Sequence, residues 1–160
     1  GGVGSRIDVL EHVFKNKIQN TLFAGIFNEE IFRELKNKKN KIVIKDSISK
    51  KKISISIDKF YLKNDNAIVT SNNNTIIFTK YRKPFHYLSD FKELNINLKK
   101  YKILVVKSGY LSPELKKLKA DNFMILTDGF VTQDFKRIKN LFREKPIYPF
   151  QKNFRYNIAI

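Results

Sequence analysis

Hydrophobic positions change period several times along the chain. After Ser5, Ile7, Leu10, Val13 and Phe14 recur at helical spacing, which predicts a helix capped by Ser5 and running to about Lys17. Thr21–Phe27 (TLFAGIF) is too short an apolar run for a helix and predicts a strand buried on both faces. Asn28 follows as the cap of a second helix. Its first turn carries Glu29 and Glu30 near the positive end of the helix dipole, and Ile31, Phe32 and Leu35 face inward.

The period then shifts to two. Lys41–Lys45 (KIVIK) and Lys52–Ile57 (KISISI) alternate as strands, with Ile53, Ile55 and Ile57 on one face. Ala67–Thr70 and Thr75–Thr79 predict two more strands around Ser71-Asn72-Asn73-Asn74, where asparagine tolerates the positive φ of a tight turn. Beyond Pro84, strand and helix alternate again. The pattern predicts a short helix at Phe91–Leu94, a buried strand at Lys102–Lys107 and a helix at Pro113–Ala120 with Leu115 and Leu118 inward. It adds a strand at Asn122–Leu126 and a last helix from Thr132 bearing Phe135, Ile138, Leu141 and Phe142. Pro146 and Pro149 force an extended tail. With no repeat and no dividing linker, residues 1–160 read as one α/β domain with a mixed sheet: a central antiparallel meander flanked by helix–strand alternation.

Composition sharpens this in three ways. The 160 residues hold 32 Lys+Arg against 15 Asp+Glu, a net charge of +17, yet 42% are hydrophobic and 14 are Phe, enough for a packed core. The absence of cysteine excludes disulfides, thiolate metal ligands and a thiol nucleophile, and fits a cytoplasmic domain. No apolar run approaches the ~20 residues of a membrane span, so no membrane partner is expected. The chain opens at Gly1-Gly2 without Met and reads as a piece of a longer one. Its positive charges run from Arg6 to Arg155, with clusters at Lys36–Lys41, Lys50–Lys52 and Lys116–Lys119. Joint enrichment of Lys, Asn and Ile is what AT-rich coding produces, so part of the basicity is compositional. The alternative is a stand-alone basic module that binds RNA or an acidic partner.

Candidate chemistry is sparse. Gly1-Gly2-Val3-Gly4-Ser5 leads into the first helix, where exposed N–H groups and the dipole suit phosphate or carboxylate; no Gly-Lys-Ser/Thr follows, so it is not a Walker loop. A flexible terminus before an ordinary cap is the plainer reading. His12 and His86 are the only histidines. Asp8 and His12 share a helix face, but a catalytic zinc takes three protein ligands and no third is spaced for it. Ser108 lacks a G-x-S-x-G elbow. Polar residues past the carboxyl end of a buried α/β strand are where ligands bind, which singles out Lys107 and Ser108 after ILVV and Arg82 before the Lys83-Pro84 pair. These three are candidate anion or substrate contacts; a snorkelling lysine and a turn serine are the structural alternative.

Several segments resemble a known family. KILVVKSGY at Lys102–Tyr110, the helix Ser112–Ala120, MILTDGFVTQD at Met124–Asp134 and REKPIYPF at Arg143–Phe150 are similar to the C-terminal domain of the microcystinase C (MlrC)-like proteins. Gly1–Ser5 resembles the end of that family's Gly-rich loop, and Thr79–Phe85 its T-x-x-R…P-F stretch. The resemblance implies the C-terminal domain of a zinc metallopeptidase or amidohydrolase acting on peptide or amide substrates. It further implies that the zinc ligands lie in an N-terminal domain, which is the partner of this one, and that no cofactor is held here. This chain would then support the fold and line one wall of the substrate cleft through Gly2, Gly4, Ser5, Arg82, Lys107, Ser108 and Tyr110, with no catalytic residue of its own. Three positions depart from the family pattern. Tyr110 stands where many relatives carry His, Ser5 where Asp is usual and Ile7 where Thr is usual. Tyrosine does not titrate near neutral pH, so the resemblance implies altered substrate contacts or a diverged member.

Overall fold

The computed structural model describes residues 4–37, 40–46 and 49–127. Backbone contacts divide the chain into a unit ending at Asn122 and a second beginning at Phe123. In the first unit the elements run α1 (Asp8–Lys15), β1 (Thr21–Phe27), α2 (Glu30–Lys36), β2 (Lys41–Lys45), β3 (Lys52–Ser56), β4 (Lys59–Lys63), β5 (Asn66–Ser71), β6 (Asn74–Thr79), α3 (Leu88–Lys92), a 3-10 turn at Leu98–Lys100, β7 (Ile103–Val106) and α4 (Pro113–Lys116). Five strands form a mixed sheet in the order β4-β5-β6-β1-β7. β1 is parallel to both β6 and β7, whereas β4, β5 and β6 make an antiparallel meander. The α/β class and the mixed sheet expected from the sequence are therefore observed.

Each face of the sheet carries its own core, because successive side chains alternate across it. Phe23, Ile26, Ala67, Val69, Ile76 and Phe78 meet Leu10 and Val13 of α1, Ile31 and Leu35 of α2, and Ile42, Ile44 and Ile55 of the β2–β3 hairpin. Leu22, Ala24, Ile68 and Ile77 meet Phe85, Phe91, Leu94, Ile96 and Leu115 on the other face. A bulge between Ala24 and Ile26 makes this partition possible. It holds Gly25 at φ +85, where a Cβ would stand 3.2 Å from the Phe85 ring. The extra residue re-phases β1, so Ile26 returns to the face of Phe23.

Several expectations change in detail. The predicted meander is split: β2 and β3 pair only with each other as a separate two-stranded ribbon. β4 (KFYLK) was not foreseen, because its three consecutive bulky residues show no polar alternation; the strand lies at the sheet edge with Phe60, Tyr61 and Leu62 all exposed. β7 is not the buried strand predicted: among the described residues it pairs only with β1, and it is half-exposed along its length. The turn Asn72-Asn73 is as expected, with φ of 49 and 60, and Ser71 pairs with Asn74 across it. The helix at Pro113 stops at Lys116. Asn122–Leu126 forms no strand: Asn122 through Leu126 are exposed and join no ladder among the described residues. The helix from Thr132 and the tail at 143–160 lie outside the described residues.

Candidate functional site

Because β1, β6 and β7 run parallel, their carboxyl ends share one edge of the sheet. α1 precedes β1 through a short turn, so the Gly4–Ile7 stretch that leads into α1 returns to that edge. There the ammonium of Lys107, one residue past β7, donates to the carbonyl oxygens of Gly4 and of Arg6, the latter at 2.8 Å. Burial pushes Lys107 down from 10.5 to about 8; nearby Asp46 and Asp8 partly offset this, and Arg6 adds to it.

A second charged group grips the same stretch. Asp46 follows β2, and its carboxylate is fully buried. It accepts from the Ile7 N–H at 3.4 Å and from the Ser49 N–H at 3.1 Å, and it lies 3.3 Å from Arg6 Nε. Arg6 also holds Asp8, with Nε donating to Oδ2 at 2.8 Å. Lys51 extends the network outward to Glu11 Oε2 at 3.0 Å and Asp8 Oδ1 at 3.7 Å.

These contacts correct two expectations. Ser5 does not cap α1. The helix begins at Asp8, with Ile7 in the cap position at φ −123 and no side-chain cap bond. Two backbone carbonyls drawn to Lys107 and the Ile7 N–H bound to Asp46 hold the preceding stretch out of helical geometry. Asp46 sets a carboxylate of the chain itself against the Ile7 N–H, just ahead of this helix. Gly4 acts through its carbonyl: a Cβ there would meet nothing within 4 Å, so no close approach demands glycine. Gly2 lies outside the described residues. Ser5 sits half-buried beside Gly4 in this stretch.

The other predicted residues occupy the same edge but have separate partners. The Arg82 guanidinium stands 5.3 Å over the Phe27 ring. Ser108 Oγ donates to the Tyr110 carbonyl and accepts from the Tyr110 N–H at 3.2 Å, closing a local turn. The exposed Tyr110 ring lies 5.4 Å from that of His86. His86 in turn joins the two short helices: its N–H donates to Asp90 at 3.0 Å, and its carbonyl accepts from Ser112, the cap of α4.

Among the described residues, neither histidine joins a metal-binding group. His12 is exposed on α1, with Asn16 Nδ2 at 3.3 Å from its Nδ1, and Asp8 turns to Arg6 and Lys51 instead. His86 packs between Tyr87 and Tyr110. Among the described residues, no group of three or more His, Asp or Glu is arranged to hold a metal ion. The donor set required for the zinc implied by the family resemblance is therefore not found in them.

Sequence reasoning missed Arg6 and Asp46, although Asp46 left a trace. Ile42 and Ile44 face inward on β2, and the same period of two places Asp46 inward as well. It is the only carboxylate between Glu34 and Asp58. An acid at an inward phase within a lysine-rich stretch signals a buried ion pair.

The sequence profile described as "MlrC C-terminus" matches residues 45–140, more than half of the chain. The match includes Asp46, Arg82, Lys107, Ser108 and Tyr110, crosses the division at Asn122, and leaves residues 1–44 outside. No curated protein matches the sequence.

Proposed function

The chain belongs to the family of MlrC carboxyl-terminal domains, and we propose that it serves an MlrC-like zinc metallopeptidase or amidohydrolase as the scaffold for one wall of the substrate cleft. On this reading the zinc and the bond-breaking chemistry belong to an N-terminal partner domain, as the family resemblance implies. The peptide or amide substrate passes over the carboxyl edge of β1, β6 and β7, where open α/β sheets bind ligands. The observation that carries this reading is the double grip on Gly4–Ile7. Lys107 and Asp46 fix the stretch that walls this edge, and both lie inside the family match. Arg82, Ser108 and Tyr110 line the remainder, with Tyr110 offering a hydrogen-bonding hydroxyl. The absence of cysteine suits a reducing cytoplasm.

Intact mass and metal content of the native gene product test the proposal directly. A product well above 18.9 kDa carrying zinc, and hydrolysing amide substrates only when this domain is present, is the expected result. A metal-free native product of 18.9 kDa overturns it.

A further inference from the structure

The β2–β3 ribbon packs one face on the core and exposes the other, which carries three lysines and no carboxylate. Ile42, Ile44 and Ile55 anchor the inner face in the core. The outer face carries Lys41, Val43 and Lys45 from β2 and Lys52, Ser54 and Ser56 from β3, all exposed. Lys45 and Lys52 stand directly opposite each other in the ladder, and like charges so placed repel. No described carboxylate lies within ion-pair distance of Lys41, Lys45 or Lys52. The nearest acids along the chain are engaged elsewhere, Asp46 with Arg6 and Asp58 with the Asn72 N–H. Coding bias scatters lysines around a surface; here they share one face of a paired ribbon that carries no acid.

We propose that this ribbon is a docking surface for the phosphate backbone of duplex DNA. The chemistry of the face selects that partner. A membrane surface requires an apolar face to insert, and Val43 is the only apolar side chain here. Single-stranded nucleic acid requires aromatic rings for stacking, and the ribbon carries none. A protein partner requires a buried aromatic or aliphatic anchor, which is also missing. Lysines and small hydroxyls on a two-stranded ribbon match a phosphate-lined groove. Lys41 and Lys45 lie about 13 Å apart along the strand, close to the ~12 Å width of the B-form major groove. This surface is independent of the hydrolase reading and uses none of its residues.

Fluorescence anisotropy of a labelled 20-base-pair duplex, titrated with the intact protein from 50 to 200 mM salt, tests the proposal. Each phosphate neutralised contributes about 0.9 to the slope of log affinity against log salt. Replacing Lys41, Lys45 and Lys52 with serine is expected to lower that slope by about 2.7 and the affinity at 100 mM salt by roughly 500-fold. A control that replaces the exposed Lys99, Lys100 and Lys102 with serine changes net charge equally and is expected to leave the slope nearly unchanged. Equal losses in both triple variants overturn the proposal. So does tighter binding to single-stranded RNA, binding to phosphatidylserine vesicles without duplex binding, or no duplex binding at 50 mM salt.

Discussion

Replacing Lys107 with methionine should flatten one part of the protein's pH–stability profile. Lys107 is lowered to about 8 in the folded protein, against 10.5 for an ordinary lysine. Below pH 8 the residue is charged in both states, and the folded state bears the cost of burying that charge. Between pH 8 and 10.5 the unfolded chain binds more protons than the folded one, so stability rises with pH; above 10.5 both forms are neutral and the cost is gone. At 1.36 kcal/mol per pH unit, the expected gain for the wild type between pH 7 and pH 10 is about 2.5 kcal/mol. Methionine has similar length and no proton, so the variant lacks this rise. Other lysines and the tyrosines also titrate here, but they do so in both proteins and cancel in the difference. Urea unfolding of both proteins at pH 7, 8, 9 and 10 measures it. Parallel stability curves would show that Lys107 is not held charged in a buried setting, and the clasp on Gly4 and Arg6 would lose its basis.

Three further substitutions probe the remainder of the framework. Asp46→Ala leaves Arg6 and two N–H groups without their buried acceptor and should cost about 3–5 kcal/mol by urea unfolding; Asp46→Asn retains an acceptor oxygen and should cost less, and equal losses would argue against the charge. Gly25→Ala places a Cβ at φ +85 beside the Phe85 ring and should cost about 1–3 kcal/mol; an unchanged melting temperature would contradict the bulge. Asn73→Val puts a β-branched residue at φ 60 and should destabilise by about 1–2 kcal/mol, while Asn73→Gly should be neutral or better.

Local patterns carried the fold as far as each element depended on its own residues. Thr21–Phe27 is uniformly apolar because both its faces are covered, and the Asn72-Asn73 turn follows from the backbone freedom of asparagine. Asn28 was legible as the signal that a helix starts; the cap position falls one residue later, at Glu29, but the Asn28 side chain still accepts from the Ile31 N–H at 3.3 Å. Elements at the sheet edges were harder to read. KILVVK has the composition of a central strand, yet β7 has only one partner among the described residues, β1, and is half-exposed. β4 is edge-bound, and its Tyr61 is used for a hydroxyl bond to the Leu94 carbonyl at 2.6 Å rather than for core packing. Strand pairing between distant segments decides such cases, and hydropathy along one strand does not encode it.

The site shows the same division more sharply. Lys107 and Ser108 were legible because the carboxyl end of an apolar strand is a recurrent place for ligands. Their roles were not, because the acceptors of Lys107 lie 103 and 101 residues away, at Gly4 and Arg6. A glycine-rich lead into a helix suggests N–H groups waiting for an external anion. Once folded, the Ile7 N–H faces Asp46, and the carbonyls of Gly4 and Arg6 face Lys107. Opposite charges from two different elements thus hold a stretch whose one core anchor is the buried Ile7 side chain, and a clasp of that kind differs from a substrate contact in a measurable way. If the proposed function holds and Lys107 only positions the wall, Lys107→Arg should retain much of the activity of the proposed complete enzyme while Lys107→Ala raises KM and leaves kcat nearly intact, as expected of a wall that would bind substrate without touching the reacting bond. A fall in kcat with KM unchanged would place the ammonium at the transition state instead, and the clasp would then be secondary to a catalytic contact.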